Sequence, residues 1–588
     1  NANGGLDLEM PGPGNVWGAS LINSIKDGKV DEGLIDSKVK RILTVAKFSK
    51  RFERPGFRSE EAIDQPAHRK LLRKAAADGM VLLKNEGLLP LKKNIKKLAV
   101  IGPNAKNAQI IGGGSASLMP HYQVQPLEAF KARLPAEINI EHAKGCHTHK
   151  YLPRINENLI SGNKGFLVEY FNEQSFEKNL VLSEHLIGNK FWVFEGFAKE
   201  VIGKEERPNI SVKFSCEYNP DVSGDHEFEI FGIGQCRLLI DGKELIDNWN
   251  NIEPGEAFFT FSSASKKGIV DMQKGESYLI EVQYYFEGNF PAVYIGCKAP
   301  DEVDLFQQAI EVASNADQVI LIAGTNSDWE TEGNDRAELS LPADQDALIK
   351  AILEANKNTT VVINTGSPVE MPWIDNADAV IQTWFAGQEF GNALVDIVTG
   401  EINPSGRLPT TFPKNITDTP AYDCYPGEDQ QMNYEEKLLV GYRWYDKKAS
   451  APLFPFGHGL SYTQFQYSDL TIKMHDNNEV SCIFAIENVG DAIGAEVAQC
   501  YVALENSAND EPIKTLQGFA KETIGIGNKK TIEIRLTQRN FSYWDVESKC
   551  WKIRRGTYQI LIGSSATLMH LKETVNLEQV EEVLDPLI

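Results

Sequence analysis

A chain of 588 residues with 42% hydrophobic and 24% charged residues has the balance of a folded globular protein, and at the usual ~100–200 residues per domain it should form about four domains. Its formal net charge of −23, from 59 basic and 82 acidic residues, argues against nucleic acid and anionic membrane surfaces as partners and leaves neutral ligands unconstrained. No apolar run approaches the ~18 residues that cross a bilayer.

In chain order, Gly5-Leu-Asp-Leu-Glu-Met-Pro11 reads as a strand. Residues 15–52 read as helix, with apolar positions at helical spacing in Ala19–Ile25 and at Val39, Ile42, Leu43 and Val45. A strand followed by such helices has the form of the closing unit of a (β/α)8 barrel, and by itself it leaves its apolar faces uncovered. Phe52-Glu-Arg-Pro55 begins a linker. A helix over Arg69–Ala77 leads into Val81–Gly87. The short apolar runs Leu98–Gly102, Val319–Gly324, Thr360–Asn364 and Ala379–Thr383, with helical stretches between them, predict a parallel sheet in an α/β layer.

Between about residues 163 and 299 the pattern becomes short alternating strands, as in Gly165–Phe171, Asp225–Phe231, Arg237–Asp241 and Tyr278–Tyr284, with Asp241-Gly242 as a tight-turn signal. This predicts an all-β insert interrupting the α/β domain. The last 120 residues again carry strands at regular spacing (Val480–Ile486, Glu496–Val502, Thr531–Leu536, Gly556–Gly563) and read as an immunoglobulin-like sandwich, with Glu578–Ile588 as a short acidic tail. Eight cysteines without a CxxC pair read as free thiols and favour a cytoplasmic or periplasmic setting over a secreted one. The chain opens on Asn1, so the lack of a visible signal peptide is uninformative.

The most loaded segment is the loop Gly324–Pro342, which leaves a buried strand and precedes a helix expected from about Pro342. Loops at the carboxyl ends of parallel strands are where such sheets present ligands. Asp328, Glu330, Glu332, Asp335 and Glu338 crowd it, with Arg336 as its only cation. Close acids raise one another's pKa, which is how a glutamate remains a proton donor near neutral pH; the alternative is a set of solvated loop acids. Arg336 either orients Glu332 or pairs with Asp335. Gly112–Ser117 is a glycine-rich loop that lacks the Gly-Lys-Ser/Thr of a phosphate loop. Phe258, Phe259 and Phe261 form either an aromatic turn able to stack on a sugar or alternating core positions of a strand. His147 and His149 are the closest approach to metal-ligand spacing, and no metal or cofactor is expected.

Eight motifs occur in order: Gly5–Pro11, Val81–Pro90, Val100–Ala105, Glu332-Gly-Asn-Asp-Arg336, Ala386–Gly391, Asn403–Pro409, Val440–Tyr445 and Phe454–Tyr462. Together they make nearly the whole chain resemble glycoside hydrolase family 3, the β-glucosidases and β-xylosidases, and the insert resembles a PA14 module at Leu238–Trp249. The resemblance implies a remnant of the catalytic barrel over 1–60, an α/β sandwich over 61–162 and 300–465, a PA14-like β insert over 163–299, and a fibronectin type III-like domain over 466–588. It implies retaining hydrolysis of terminal β-D-glucosides, with β-linked glucosides or oligosaccharides as partners and β-xylosides as the alternative. Glu332 matches the family's general acid/base, with Glu330 as the competing assignment. Ser117 and Phe259 are expected at the pocket edge, and the insert at its mouth. The family's nucleophile lies in a Ser-Asp-Trp motif roughly fifteen residues before the Gly-Leu-Asp pattern, whereas four residues precede Gly5. The expectation is therefore an incomplete chain, nearly inactive alone, in which Asp7 is a structural residue. A non-catalytic carbohydrate-binding or barrel-complementing chain is the alternative, and a homo-oligomer is left open.

Overall fold

The structure, a computed structural model, describes residues 1–10, 17–56, 59, 61–162, 164–172, 176–193, 196–198, 201, 209–288, 290–429, 431–508 and 510–583. They form two units, Asn1–Gln65 and Pro66–Ile588.

In the first unit the expected helical stretch is two helices, Ala19–Lys26 and Glu32–Phe48, broken at Gly28, whose φ of 71° suits glycine. Positions 11–16, including Pro11 of the first motif, lie outside the described residues. The strand expected over Gly5–Pro11 is not formed: Gly5 ends a turn and residues 6–10 are coil and bends. No described strand in this unit offers a ladder, and a lone strand leaves its backbone N–H and C=O groups unpaired. Asp7 accepts from Arg41 Nε at 2.8 Å and Nη2 at 2.7 Å. Ile22, Val39, Leu43, Val45 and Phe48 are exposed.

The second unit is built around a six-stranded sheet ordered Val81–Asn85, Ala379–Gln382, Thr359–Asn364, Gln318–Gly324, Lys97–Ile101, Asn139–Ala143. All its pairings are parallel except that of Val81–Asn85 with Ala379–Gln382. Every residue of Gln318–Gly324 and Thr359–Asn364 is buried. The two faces are covered by separate apolar clusters, one with helix Phe390–Thr399 and one with helices Leu305–Ser314 and Gln345–Ala355. Each fully buried aliphatic or aromatic side chain there contributes about 1.5–3 kcal/mol. The helix expected from Pro342 begins at Gln345, because Ala343 is left-handed at φ 55° and cannot lie within a helix. Asn139–Ala143, an edge strand of alternating burial, lacks the apolar run that marked its neighbours.

Between Asn139–Ala143 and helix Leu305–Ser314 the chain leaves to form two antiparallel sheets packed on one core that contains Phe166, Tyr170, Phe214, Phe228 and Tyr284. Hairpin Gln235–Ile240/Lys243–Asn248 turns at Asp241 (φ 49°) and Gly242 (φ 77°), the pair of left-handed residues that a tight two-residue loop requires. His147 Nε2 lies 2.8 Å from Asp301 Oδ2, tying the outgoing connection to the returning one.

The carboxyl-terminal part is a β-sandwich around Cys482, Phe484, Cys500 and Ile562. The expected acidic tail is a strand in its first half: Val580–Val583 pairs with Cys550–Ile553 and buries Val583, and the chain beyond 583 lies outside the described residues. All eight cysteines are free thiols, six of them buried. Among the described residues no helix is long and apolar enough to cross a membrane.

Candidate active site

Two loops leave the carboxyl ends of adjacent parallel strands, 102–125 after Lys97–Ile101 and 325–344 after Gln318–Gly324. Together with residues of the β insert they enclose a cavity of about 350 Å³, the size of a small-molecule site. Its lining includes Gly113, Gly114 and Ser117 from the first loop, Ser327, Asp328, Thr331, Glu332 and Asn334 from the second, and Lys190, Trp192, Phe258, Phe259 and Tyr294 from the insert. The structure thus brings Glu332, Ser117 and Phe259 to one cavity from three segments far apart in sequence.

The acidic loop is held at several points. Trp329 Nε1 donates to the Thr148 carbonyl at 2.8 Å, and Asn326 Oδ1 accepts from the backbone of Asp328 at 2.9 Å. Glu330 Oε1 accepts from Thr325 Oγ1 at 2.5 Å and from the Gly366 N–H at 3.0 Å, which commits this carboxylate to the sheet end and not to the cavity lining. Asp335 accepts from Tyr425 Oη. Arg336 pairs neither with Asp335 nor with Glu332: it donates to Ser367 Oγ at 3.1 Å and the Ser340 carbonyl at 2.9 Å.

Glu332 is exposed, and its Oε2 accepts from both the N–H (2.9 Å) and the hydroxyl of Ser115. These bonds hold its carboxyl below the ordinary glutamate value. The expectation that crowding by acids raises it does not hold here, because the two bonds from Ser115 favour the ionised form and outweigh burial. Asp328 shows the upward direction instead: burial raises its carboxyl against the pull of Lys190 and Lys150.

The glycine run is explained by close approach. A β-carbon on Gly114 (φ 70°) would stand 2.5 Å from Glu332 Cβ, so only glycine lets the first loop reach the acid. Ser117 lines the cavity with its hydroxyl 3.4 Å from the Gly112 carbonyl. Phe258–Thr260 is not a strand: Phe258, Phe259 and Thr260 have φ of 50°, 58° and 68°. Phe258 buries against Trp192 and Phe231, Phe259 faces the cavity with its ring 5.5 Å from Trp192, and Phe261 is exposed outside it. His147 contacts Lys144 and Asp301, and no described group of three or more His, Cys, Asp or Glu side chains could hold a metal ion.

Sequence reasoning missed Ser115, Lys190 and Trp192, and counted Asp328 only as one acid among several. The glycine run around Ser115 reads only as a loop in the sequence, because the partner of Ser115 is 217 residues away.

The family model for the Glycosyl hydrolase family 3 C-terminal domain matches residues 80–462, and that for a fibronectin type III-like domain matches 496–566. A beta-glucosidase of Rhizobium radiobacter is 35% identical over 597 residues, covering 99% of this chain and 72% of the relative. A probable beta-glucosidase I of Aspergillus clavatus is 36% identical, covering 95% and 69%. The crystal structure of beta-glucosidase from Kluyveromyces marxianus in complex with glucose superposes with a TM-score of 0.86 at 30% identity, covering 98% of this chain and 71% of that one. A match over most of the chain, in the order its sheets are built, means that this chain belongs to glycosyl hydrolase family 3.

Proposed function

We propose that these residues form the acid/base half of a retaining β-glucosidase site that releases terminal β-D-glucose from oligosaccharides or glycosides. The observation that carries this reading is the placement of Glu332. Its carboxylate stands at the cavity, fixed by Ser115 and reachable from solvent. In a retaining cycle one group first protonates the glycosidic oxygen and then deprotonates the hydrolytic water. Ser115 favours the ionised, base form, and an anionic nucleophile close by would favour the protonated form.

No nucleophile is assigned among these 588 residues. Asp7 is engaged by Arg41. Asp328, the other carboxylate of the cavity lining, sits in the same loop as Glu332 and is not assigned as one. Glucosides are favoured over β-xylosides by the names of the relatives and by the glucose held in the Kluyveromyces structure. We assign the β insert (163–299) to a PA14-like module limiting substrate length through Phe259 while Ser117 borders the sugar. The flanking partition is 1–60 as a barrel remnant, 61–162 with 300–465 as the α/β sandwich, and 466–588 as the fibronectin type III-like domain.

Hydrolysis of p-nitrophenyl β-D-glucoside by the 588-residue chain, beside Glu332→Gln, tests the absence of a nucleophile. Neither protein is expected to turn over. Turnover that vanishes in Glu332→Gln would place a nucleophile among these residues and end this part of the reading.

A further inference from the structure

We infer that Asp328 is a specificity-determining residue that selects a hydroxylated ring, a second sugar unit, over an apolar aglycone in the cavity beside Glu332. The inference rests on the cavity being a sugar site, and it adds the chemical class of the leaving group.

Asp328 lines the cavity, and among the described residues its carboxylate accepts no hydrogen bond; its own backbone N–H is taken by Asn326 Oδ1. The other acids of the loop differ in this respect: Glu330 is bonded to Thr325 and Gly366, Glu332 to Ser115, and Asp335 to Tyr425. Lys190 and Lys150 act on Asp328 from a distance without donating to it. The cavity that Asp328 lines carries the rings of Trp192, Phe258 and Tyr294 beside polar groups that include Asn189, Lys190 and Asn334.

A half-buried carboxylate in a cavity lined partly by rings suits a hydroxylated ring. The rings stack on the C–H faces of a saturated ring, and the carboxylate accepts hydrogen bonds from equatorial hydroxyls at its rim. An apolar ligand of the same size would strip water from Asp328 and offer nothing in return, and a group left unpaired in this way penalises the analogue lacking the hydroxyl more than an apolar wall rewards it.

The test is ligand-observed saturation-transfer NMR on the 588-residue chain with methyl β-D-glucoside, against cyclohexylmethanol as a ring without ring hydroxyls. The glucoside is expected to bind at least about tenfold more tightly than cyclohexylmethanol, and Asp328→Asn to lose about tenfold of the glucoside affinity, the loss roughly expected for one hydrogen bond to a charged group. Equal binding of the two probes, no binding of the glucoside, or unchanged affinity in a folded Asp328→Asn would each overturn the inference. The two-probe comparison needs no variant, so equal binding would overturn the inference even if Asp328→Asn fails to fold. Because the readout is binding, an error in assigning Glu332 as acid/base leaves it unmoved and shows only in hydrolysis.

Discussion

The ring of Phe259 rests against the α-carbon of Gly333, the residue that follows Glu332: a β-carbon built on Gly333 would lie 2.8 Å from Phe259 Cδ1. The β insert and the acidic loop therefore meet next to the proposed acid/base. Gly333 also holds φ 85°, a left-handed conformation that costs an L-residue about 1–2 kcal/mol. Gly333→Ala is expected to destabilise the fold by ~2–4 kcal/mol, combining that strain with overpacking. It should also raise hydrogen exchange in the segments around residues 258 and 333. Denaturant midpoints and exchange mass spectrometry check this; an unchanged midpoint would mean that the turn yields freely.

Three consecutive non-glycine residues in the left-handed region, Phe258 to Thr260, store strain of the kind that persists only where surrounding packing dictates it. Phe258 and Phe259 are held by Trp192, but Thr260 is exposed. Thr260→Gly is therefore expected to stabilise by ~0.5–1 kcal/mol, the relief at φ 68° exceeding the entropy gained by the unfolded chain. A lowered melting temperature would contradict it.

Ser115→Ala removes the hydroxyl bond to Glu332 and leaves the backbone one. The carboxyl of Glu332 should then titrate at higher pH than in the parent, moving back toward its ordinary 4.5. Carbon-detected NMR titration of Glu332 reads the shift directly. No movement would show that the backbone N–H alone sets it.

Asp396 is almost fully buried and accepts from Arg73 Nε at 2.6 Å and from Arg133 Nη2 at 2.6 Å. Burial alone would raise its carboxyl, but the two guanidinium groups outweigh burial and hold it below 3.8. A depressed folded-state value means that the stabilisation is complete above the unfolded value and fades as the pH falls through the folded one. Asp396→Asn is thus expected to cost about 3 kcal/mol at pH 7, discounted for the partly exposed Arg73. The gap between parent and variant should narrow below about pH 4. Thermal melts at pH 7 and pH 3 measure both.

The buried strands Lys97–Ile101, Gln318–Gly324, Thr359–Asn364 and Ala379–Gln382 were legible because strands covered on both faces read as apolar runs. The Asp241-Gly242 turn was legible because its geometry demands those residue types. Asn139–Ala143 was not, since an edge strand with half-exposed polar residues has no such run. The left-handed turn at Phe258 leaves no local mark either, because long-range packing imposes it against the preference of phenylalanine. At the site, residue types left five acids undistinguished and only the resemblance of Glu332-Gly-Asn-Asp-Arg336 to the family motif singled out Glu332; its direction of titration was misread. Proximity in sequence put five acids together, whereas the fold gives Glu330 and Asp335 separate partners and turns Ser115 onto Glu332. Arg336 shows the same limit: adjacency to Asp335 did not make a pair once Ser340 and Ser367 offered better geometry.

The most direct test of Glu332 as the acid/base is its dependence on the leaving group, measured in a chain that carries these residues together with a family 3 catalytic barrel and its nucleophile. An alkyl β-D-glucoside needs its departing oxygen protonated, whereas 2,4-dinitrophenolate departs without help. In Glu332→Gln, kcat/KM for the alkyl glucoside is expected to fall by roughly 10²–10⁴, the usual worth of general acid catalysis, while formation of the glycosyl-enzyme from 2,4-dinitrophenyl β-D-glucoside is nearly unchanged. Equal losses on both substrates, or none on either, would contradict the assignment.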